Sequence, residues 1–138
     1  MTYLQNIKQN SEMELLVQIS IKMQQLNKKI EKQCGMSLTQ WYVLNALIDL
    51  PGISPFKLSY SIGISPGSLT QTIKRLFKKK WIVIISDPLD SRKKLISITR
   101  DGKNSRDLID SKILPLQSQL ITLRNSIEEL KNILNSFD

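Results

Sequence analysis

Residues 53–80 read ISPFKLSYSIGISPGSLTQTIKRLFKKK and contain the same helix-start signal twice. In each copy a serine, Ser54 or Ser65, can accept hydrogen bonds from the first free amides, and the proline that follows suits the first helical position. Gly63, between the copies, suits a left-handed helix exit. The stretch therefore predicts a helix of about two turns over residues 56–62, a tight turn, and a second helix over residues 66–79.

The second of these helices has two unlike faces. A core-facing stripe at helical spacing is formed by Leu69, Ile73, Leu76 and Phe77. The opposite face has small polar residues at its amino end, which suit base edges, and cations later, which suit phosphates. A basic helix is also typical of an ordinary solvated face. On the first interpretation, the helix would contact DNA through Ser65, Gly67, Ser68, Thr70, Gln71, Thr72, Lys74, Arg75 and Lys78.

A hairpin is predicted directly after this basic helix. Residues 81–85 and 95–99 have strand-like patterns, and a charged, turn-rich segment separates them. A hairpin in this place is a wing. We expect Arg92 at its tip, Lys93 and Lys94 beside it, and Asp90 close enough to orient the guanidinium. Such an arginine can enter a minor groove, whereas the alternative is an ordinary surface ion pair.

The positive charge is concentrated in this part of the chain. The 138 residues, enough for one domain, carry a net charge of +8. Residues 66–103 hold ten Lys or Arg against three Asp, a local charge of +7. This footprint indicates a polyanionic partner. A membrane surface is disfavoured because the basic helix lacks a long apolar face. Residues 1–20 resemble neither a signal peptide nor a membrane span, so we expect a cytoplasmic protein.

The composition argues against several kinds of chemistry. The chain has no histidine and a single cysteine, Cys34. An internal disulfide is excluded, an ordinary zinc or iron site is not expected, and no Cys/His or Ser/His pair is available for catalysis. We therefore predict a protein that is not an enzyme and needs no cofactor or metal. Cys34 follows a helix end, where the dipole disfavours a thiolate, so we interpret it as structural.

Apolar stripes at the two ends of the chain indicate association helices. One lies in a helix over residues 11–33, which Gly35 ends, and the other spans residues 116–137. Ser126 and Glu129 have capping-box spacing, so we expect a helix break near Asn125. Packing within one subunit would explain part of both stripes, but a two-fold dimer would bury more. The residues predicted at that interface are Leu16, Ile19, Leu123, Ile127, Leu130, Leu134 and Phe137.

The chain resembles the MarR-type (multiple antibiotic resistance) regulators. The resemblance rests on Leu38-Thr39 opening a helix, residues 65–76, the D-x-R pair of Asp90 and Arg92, and the closing run of residues 98–102. Lys80 stands where the family usually has glycine, and Phe77, Ile84 and Ser91 replace common charged residues. The resemblance implies terminal helices that form a dimer interface. It also implies an effector pocket between those helices and the winged unit, for which Met23, Trp41 and Tyr42 are candidates.

The sequence thus predicts one mainly α domain with a small β-hairpin wing. The winged helix-turn-helix would span residues 37–100, flanked by dimerisation helices over residues 3–34 and 101–138. We predict a homodimeric, sequence-specific transcriptional regulator, a repressor, that binds a palindromic operator in double-stranded DNA. Its second helix would enter the major groove and its wing the minor groove. Two alternatives stay open at this point, a winged-helix interaction module and a non-specific architectural DNA binder. The sequence leaves the identity of any small-molecule effector open.

Overall fold

The computed structural model describes residues 10–137. In this range six α-helices, one 3-10 turn and one two-stranded hairpin follow one another. In chain order they are α1 (Glu12–Cys34), α2 (Leu38–Asp49), α3 (Pro55–Ile62), α4 (Pro66–Lys78), β1 (Ile82–Asp87), β2 (Asp90–Ile98), α5 (Arg100–Leu120), the 3-10 turn (Ile121–Leu123) and α6 (Arg124–Asn135). The predicted class, mainly α with a small hairpin wing, is confirmed.

Local start and stop signals set most of these boundaries. Ser54 and Ser65 cap α3 and α4, each accepting an amide hydrogen bond at 3.3 Å. Gly63 ends α3 with a left-handed φ of 72°. Ser11 caps α1, and Gly35 ends it with a φ of 70°. These helix ends are confirmed as predicted, because each depends on hydrogen bonds within four or five residues.

The hairpin is longer than the sequence predicted, and its tip differs. β1 and β2 pair in antiparallel register from Ile82 opposite Ile98 to Ser86 opposite Lys94, and after a register shift Asp87 pairs with Asp90, so residues 91–93 bulge from β2. Ile53 forms a further bridge to Ile96 and joins the helix-turn-helix to the wing. The tip is formed by residues 88–89, and Leu89 there is 95% exposed. The prediction that Arg92 occupies the tip is wrong, since pairing extends outward to Asp90 and leaves Arg92 on β2.

The core lies where α2, α3, α4 and α5 meet the hairpin. Its buried apolar residues are Ile30, Met36, Val43, Leu44, Leu47, Leu58, Leu69, Ile73, Leu76, Ile82, Ile96 and Ile109. Phe77 was predicted to belong to this set, and that prediction is wrong because its side chain is 54% exposed. The chain turns back after α4, and Trp81 packs against the core at that end instead.

The start of α5 needs a residue without a side chain. Thr99 caps this helix by accepting a hydrogen bond of 3.0 Å from the amide of Gly102. A Cβ atom at Gly102 would collide with the carbonyl oxygen of Trp81. The close approach of β1 and α5 therefore depends on glycine. Pro115 lies inside α5, which continues through it to Leu120.

The predicted capping box at Ser126 does not form. The helix break lies at residues 121–123, and α6 begins at Arg124 without a side-chain cap. The amide of Arg124 donates to the carbonyl of Ile121. The 3-10 turn thus supplies a hydrogen-bond acceptor for a free amide at the start of α6, which a capping serine would otherwise supply. Ser126 is consequently inside the helix, and the prediction of a break near Asn125 is wrong by a few residues.

The described helices at the two chain ends carry much exposed apolar surface. In α1, Ile30 is buried, whereas Ile19 and Met23 are 55% and 47% exposed. The predicted division into a winged unit and terminal association helices stays a prediction, and residues 3–9 and 138 lie outside the described residues. None of the helices in residues 10–137 combines the length and the apolar character that crossing a bilayer requires.

Candidate nucleic-acid interface

The amino-terminal half of α4 presents small polar residues to solvent. Gly67, Ser68, Thr70 and Gln71 are exposed, and the hydroxyl of Ser65 is engaged as the helix cap. Thr70 Oγ1 donates 2.8 Å to the carbonyl of Pro66 and keeps its lone pairs for an external donor. Small side chains here let a helix approach base edges closely, and Gln71 can offer a donor and an acceptor together.

Cations follow on the same helix. Lys74, Arg75 and Lys78 are all exposed. They occupy the last two turns of α4, where positive charge is also favoured by the helix dipole. Polar groups at the start and cations at the end reproduce the order that the sequence predicted for base and phosphate contacts.

Thr72 does not belong to this exposed face. Its side chain is 8% exposed, and its hydroxyl donates 3.0 Å to the carbonyl of Ser68. The position falls three residues after Leu69 and four before Leu76, both buried, so helical geometry turns it toward the core. The prediction that Thr72 contacts DNA is therefore corrected, because the folded chain covers the residue.

On the wing, Asp90 holds Arg92 through three hydrogen bonds. Asp90 Oδ1 accepts from the amide and from Nε of Arg92, each at 3.1 Å. Asp90 Oδ2 accepts from Nη2 at 3.3 Å. The Arg92 side chain is 89% exposed. Its side-chain and then its backbone hydrogen bond lower the pKa of the Asp90 carboxyl below its ordinary value. The carboxylate thus orients an otherwise solvated guanidinium, as the sequence predicted.

A groove that the sequence did not indicate runs beside the wing. Its volume is about 640 Å³, and it lies between the start of α3 and the hairpin. Lys93 and Lys94 line it together with Lys57. Lys57 was missed, although a cation in the first turn of a helix, where the dipole disfavours it, was a usable signal. The groove adds a third lysine to the positive surface of the wing.

Lys79 and Lys80 are part of the same lysine run but have structural positions. Lys79 Nζ donates to the carbonyl of Gly35 and lies 4.6 Å from the centre of the Trp81 ring. Lys80 has a left-handed φ of 64°. That conformation favours glycine, the residue that the family resemblance led us to expect there. Lys78 is thus the member of the run that stays on the exposed face of α4.

The candidate effector residues make contacts within the chain. Trp41 Nε1 donates 2.8 Å to Asp110, and Tyr42 Oη donates 2.9 Å to the carbonyl of Ile62. The exposed Met23 is on α1. The groove beside the wing is lined by other residues. Cys34 is half-buried and packs against the core, in keeping with its interpretation as structural.

The residues predicted at a dimer interface lie on the outside of the described chain. Ile19, Leu123, Ile127, Leu134 and Phe137 are between 45% and 86% exposed. Leu16 and Leu130 are half-buried. Soluble monomers rarely leave apolar surface of this extent uncovered. The structure therefore places these residues where a partner could cover them.

These features define a winged helix-turn-helix protein. Two capped helices meet at a tight turn, the second of them exposes a polar and basic face, and the hairpin that follows carries an arginine oriented by an aspartate. Residues 35–93 match the sequence model of a protein family that is described as the MarR family. Over these residues the chain is similar to that family.

Relatives and solved structures agree with this similarity. The HTH-type transcriptional regulator SarZ of Staphylococcus epidermidis is 28% identical over 112 residues, which cover 78% of this chain and 76% of SarZ. MepR of S. aureus, solved with DNA, has a TM-score of 0.79 at 19% identity, covering 94% of this chain and 100% of that one. A mutant MarR of E. coli, complexed with operator DNA, has a TM-score of 0.70 at 21% identity, covering 88% and 89%. The chain therefore shares its fold with both solved proteins.

Proposed function

We propose that this chain is a sequence-specific DNA-binding transcriptional regulator. The observation that carries the proposal is the pairing of α4 with the wing. α4 exposes Gln71 and three cations, and beside it the wing holds Arg92 out in solvent. Lys78 of α4 and Val83 of the wing line one shallow groove, so the two elements are neighbours. Together they can contact a major groove and the adjacent minor groove.

The proposed contacts divide by chemistry. Near the start of α4, Gly67, Ser68, Thr70 and Gln71 would contact base edges. Phosphates would be held by Lys74, Arg75 and Lys78, with Lys93 and Lys94 on the wing. Arg92, aimed by Asp90, would enter the minor groove, where negative potential is enhanced when the groove is narrow. SarZ bears the name of a transcriptional regulator, and the MepR and MarR structures contain DNA, which supports the proposal.

We further propose that two copies associate through their terminal helices. Many apolar side chains on α1 and α6 are exposed, because the winged unit does not cover them. Both helices flank that unit. A two-fold dimer would bury them and would present two copies of α4 to one face of the duplex. The operator is then palindromic, with half-site centres about 10 base pairs apart.

Repression is the regulatory outcome that we propose, because a dimer seated on promoter DNA excludes other proteins from it. A cytoplasmic location follows from DNA as the partner. Transcription in vitro from a promoter that contains the selected operator measures the sign directly. We expect added protein to lower transcript yield. An increase in yield would assign activation instead.

Selection of bound fragments from random DNA tests the proposed function. A palindromic motif is expected, whereas a featureless enrichment would indicate an architectural binder and no enrichment would indicate an interaction module. Log affinity for the selected site should fall linearly with log salt, since bound lysines and arginines displace counterions. The double substitution of Lys74 and Lys78 by Ala should weaken binding strongly. The same change at Lys28 and Lys29, exposed on α1, is a control of equal charge.

The oligomeric state tests the proposed dimer separately. Substituting Leu130 and Leu134 by Asp would place charge inside the interface and should dissociate or unfold the protein. Sedimentation of the parent and the variant measures the outcome. A folded monomeric variant that kept its full operator affinity would contradict the two-fold arrangement.

A further inference from the structure

Lys79 connects the end of α4 to the end of α1. It is the residue at which α4 stops, and its Nζ donates to the carbonyl oxygen of Gly35, which ends α1. The same ammonium lies over the ring of Trp81 at 4.6 Å from its centre. One side chain thus contacts the end of α1, forty-four positions earlier in the chain, and the ring of Trp81, two positions later.

The chemistry of both contacts suits an ammonium group. The last carbonyls of a helix carry partial negative charge, so a cation at the end of α1 is favoured. The face of an indole ring is also negative and attracts cations. Lys79 therefore has two matched partners inside the chain, although it is an exposed residue, as Lys78 is.

A second polar contact holds the other side of the same junction. Asn27 Oδ1, on α1, accepts a hydrogen bond of 2.7 Å from the amide of Leu38 at the start of α2. One contact allows rotation about itself, whereas two separated contacts, together with the covalent connection through residues 35–37, restrict the orientation of α1 much further. Asn27 attaches α1 to the first helix of the winged unit, and Lys79 attaches α1 to α4 itself.

We propose that Lys79 is a positioning residue that sets the orientation of α4 relative to α1. This inference rests on the proposed function, in which α1 belongs to the dimer interface and α4 enters the major groove. The orientation of α4 on each protomer then sets the separation of the two copies. Lys79 accordingly determines which half-site spacing the dimer accepts, although it contacts no DNA.

The first experiment measures orientation without DNA. Spin labels on cysteines introduced at Lys28 and Lys74, in a chain with Cys34→Ser, report the distance between α1 and α4. Diluting labelled chain tenfold with unlabelled chain restricts the signal to one protomer. The distance distribution should broaden in Lys79→Met and return to the parent width in Lys79→Arg, which keeps a cation. Lys78→Met is the matched control and should leave the width unchanged.

The second experiment measures spacing. Affinity is compared for the selected operator and for versions with one base pair inserted or removed, each step turning a half-site by about 34°. We expect at least a tenfold preference for one spacing in the parent and a loss of most of that preference in Lys79→Met. Lys78→Met should weaken all spacings by the same factor.

The outcomes separate the inference from the function on which it rests. An unchanged distance distribution in Lys79→Met would overturn the positioning role, whatever the DNA result. A broadened distribution with an unchanged spacing preference would overturn its effect on specificity. If the parent selects no DNA at all, the proposed function fails, while the distance measurement still decides whether Lys79 orients α4.

Discussion

The indole Nε1 of Trp41 donates a hydrogen bond of 2.8 Å to Oδ1 of Asp110, sixty-nine positions later in the chain. The bond joins α2, in the winged unit, to α5. Asp110 also pairs with Arg106 through its second oxygen at 2.8 Å. Both oxygens of one carboxylate are thus engaged, which makes Asp110 the link between a winged-unit helix and the helix that follows the wing.

We expect Asp110→Ala to destabilise the fold. The substitution leaves the Trp41 indole without its acceptor in a part-buried position and removes one partner of Arg106, at a cost of about 1–2 kcal/mol. Urea denaturation measures the change. Asp107→Ala is the control. The Asp107 side chain is 63% exposed where it pairs with Arg106, so its removal should change the free energy of unfolding by less than about 0.5 kcal/mol. Equal effects of the two substitutions would contradict the linking role.

Arg92→Ala should weaken operator binding while thermal stability stays nearly constant. The guanidinium is 89% exposed, and an exposed ion pair contributes little to folding. Arg92→Lys should recover only part of the loss, because a planar guanidinium suits a narrow groove better than an ammonium does. Affinity and melting temperature are measured on the same preparations. Unchanged affinity in Arg92→Ala would leave the wing with a structural role alone.

The Asp90–Arg92 pair also has a defined pH response. Arg92 lowers the pKa of the Asp90 carboxyl, so the pair forms fully above the ordinary aspartate pKa and is lost as pH falls through the lowered value. Arg92→Ala should raise this pKa toward its ordinary value. A carboxyl-carbon NMR titration of Asp90 measures the shift, and the same titration midpoint in both proteins would show that the pair does not persist in solution.

Gln71 and Thr72 are adjacent in sequence and should behave differently. Gln71 is exposed and can pair with a base. If it does, Gln71→Ala should reduce the free-energy difference between the operator and its single-base variants by about 1–3 kcal/mol. Thr72→Val removes a hydroxyl that bonds inside α4 and should leave preference unchanged. Affinities for the operator and for single-base variants distinguish the two. A relaxed preference in Thr72→Val would mean that α4 rearranges on DNA.

Lys80→Gly should stabilise the fold. Lys80 has a left-handed φ, whereas its backbone bonds to Phe77 and Thr99 need no side chain. Relief of about 1–2 kcal/mol of strain outweighs the extra chain entropy of glycine, for a net gain of about 0.5–1 kcal/mol. Lys78→Gly, within α4, should instead destabilise by about 1 kcal/mol. Thermal denaturation of both variants tests the contrast.

Features that depend on a few neighbouring residues could be predicted from sequence. The caps at Ser54 and Ser65 and the left-handed end at Gly63 are confirmed because each involves hydrogen bonds within one turn. The Asp90–Arg92 contact is confirmed for the same reason, and the predicted order of elements is confirmed as well. These signals were enough to assign the fold and most of the exposed face of α4.

Features decided by distant packing could not be predicted in this way. Phe77 fits the apolar stripe of α4, but Trp81 packs on the core at that end. Thr72 is polar, yet its hydroxyl is satisfied by the preceding turn and its side chain is buried. Lys79 could be counted only as a cation until its contacts with Gly35 and Trp81 were known. In each case the deciding partner lies outside the local pattern.

The two kinds of exposed surface respond to ions in opposite ways. The winged unit carries most of the net positive charge, whereas many of the exposed apolar side chains lie on the terminal helices. Salt replaces lysine and arginine at a polyanion, yet sulfate or phosphate strengthens apolar association. Ionic composition would therefore separate the two proposed associations, with DNA and with a second copy of the chain. In concentrated sulfate the protein would hold its own copies together while it released DNA, so a single change in salt shifts assembly and DNA affinity in opposite directions.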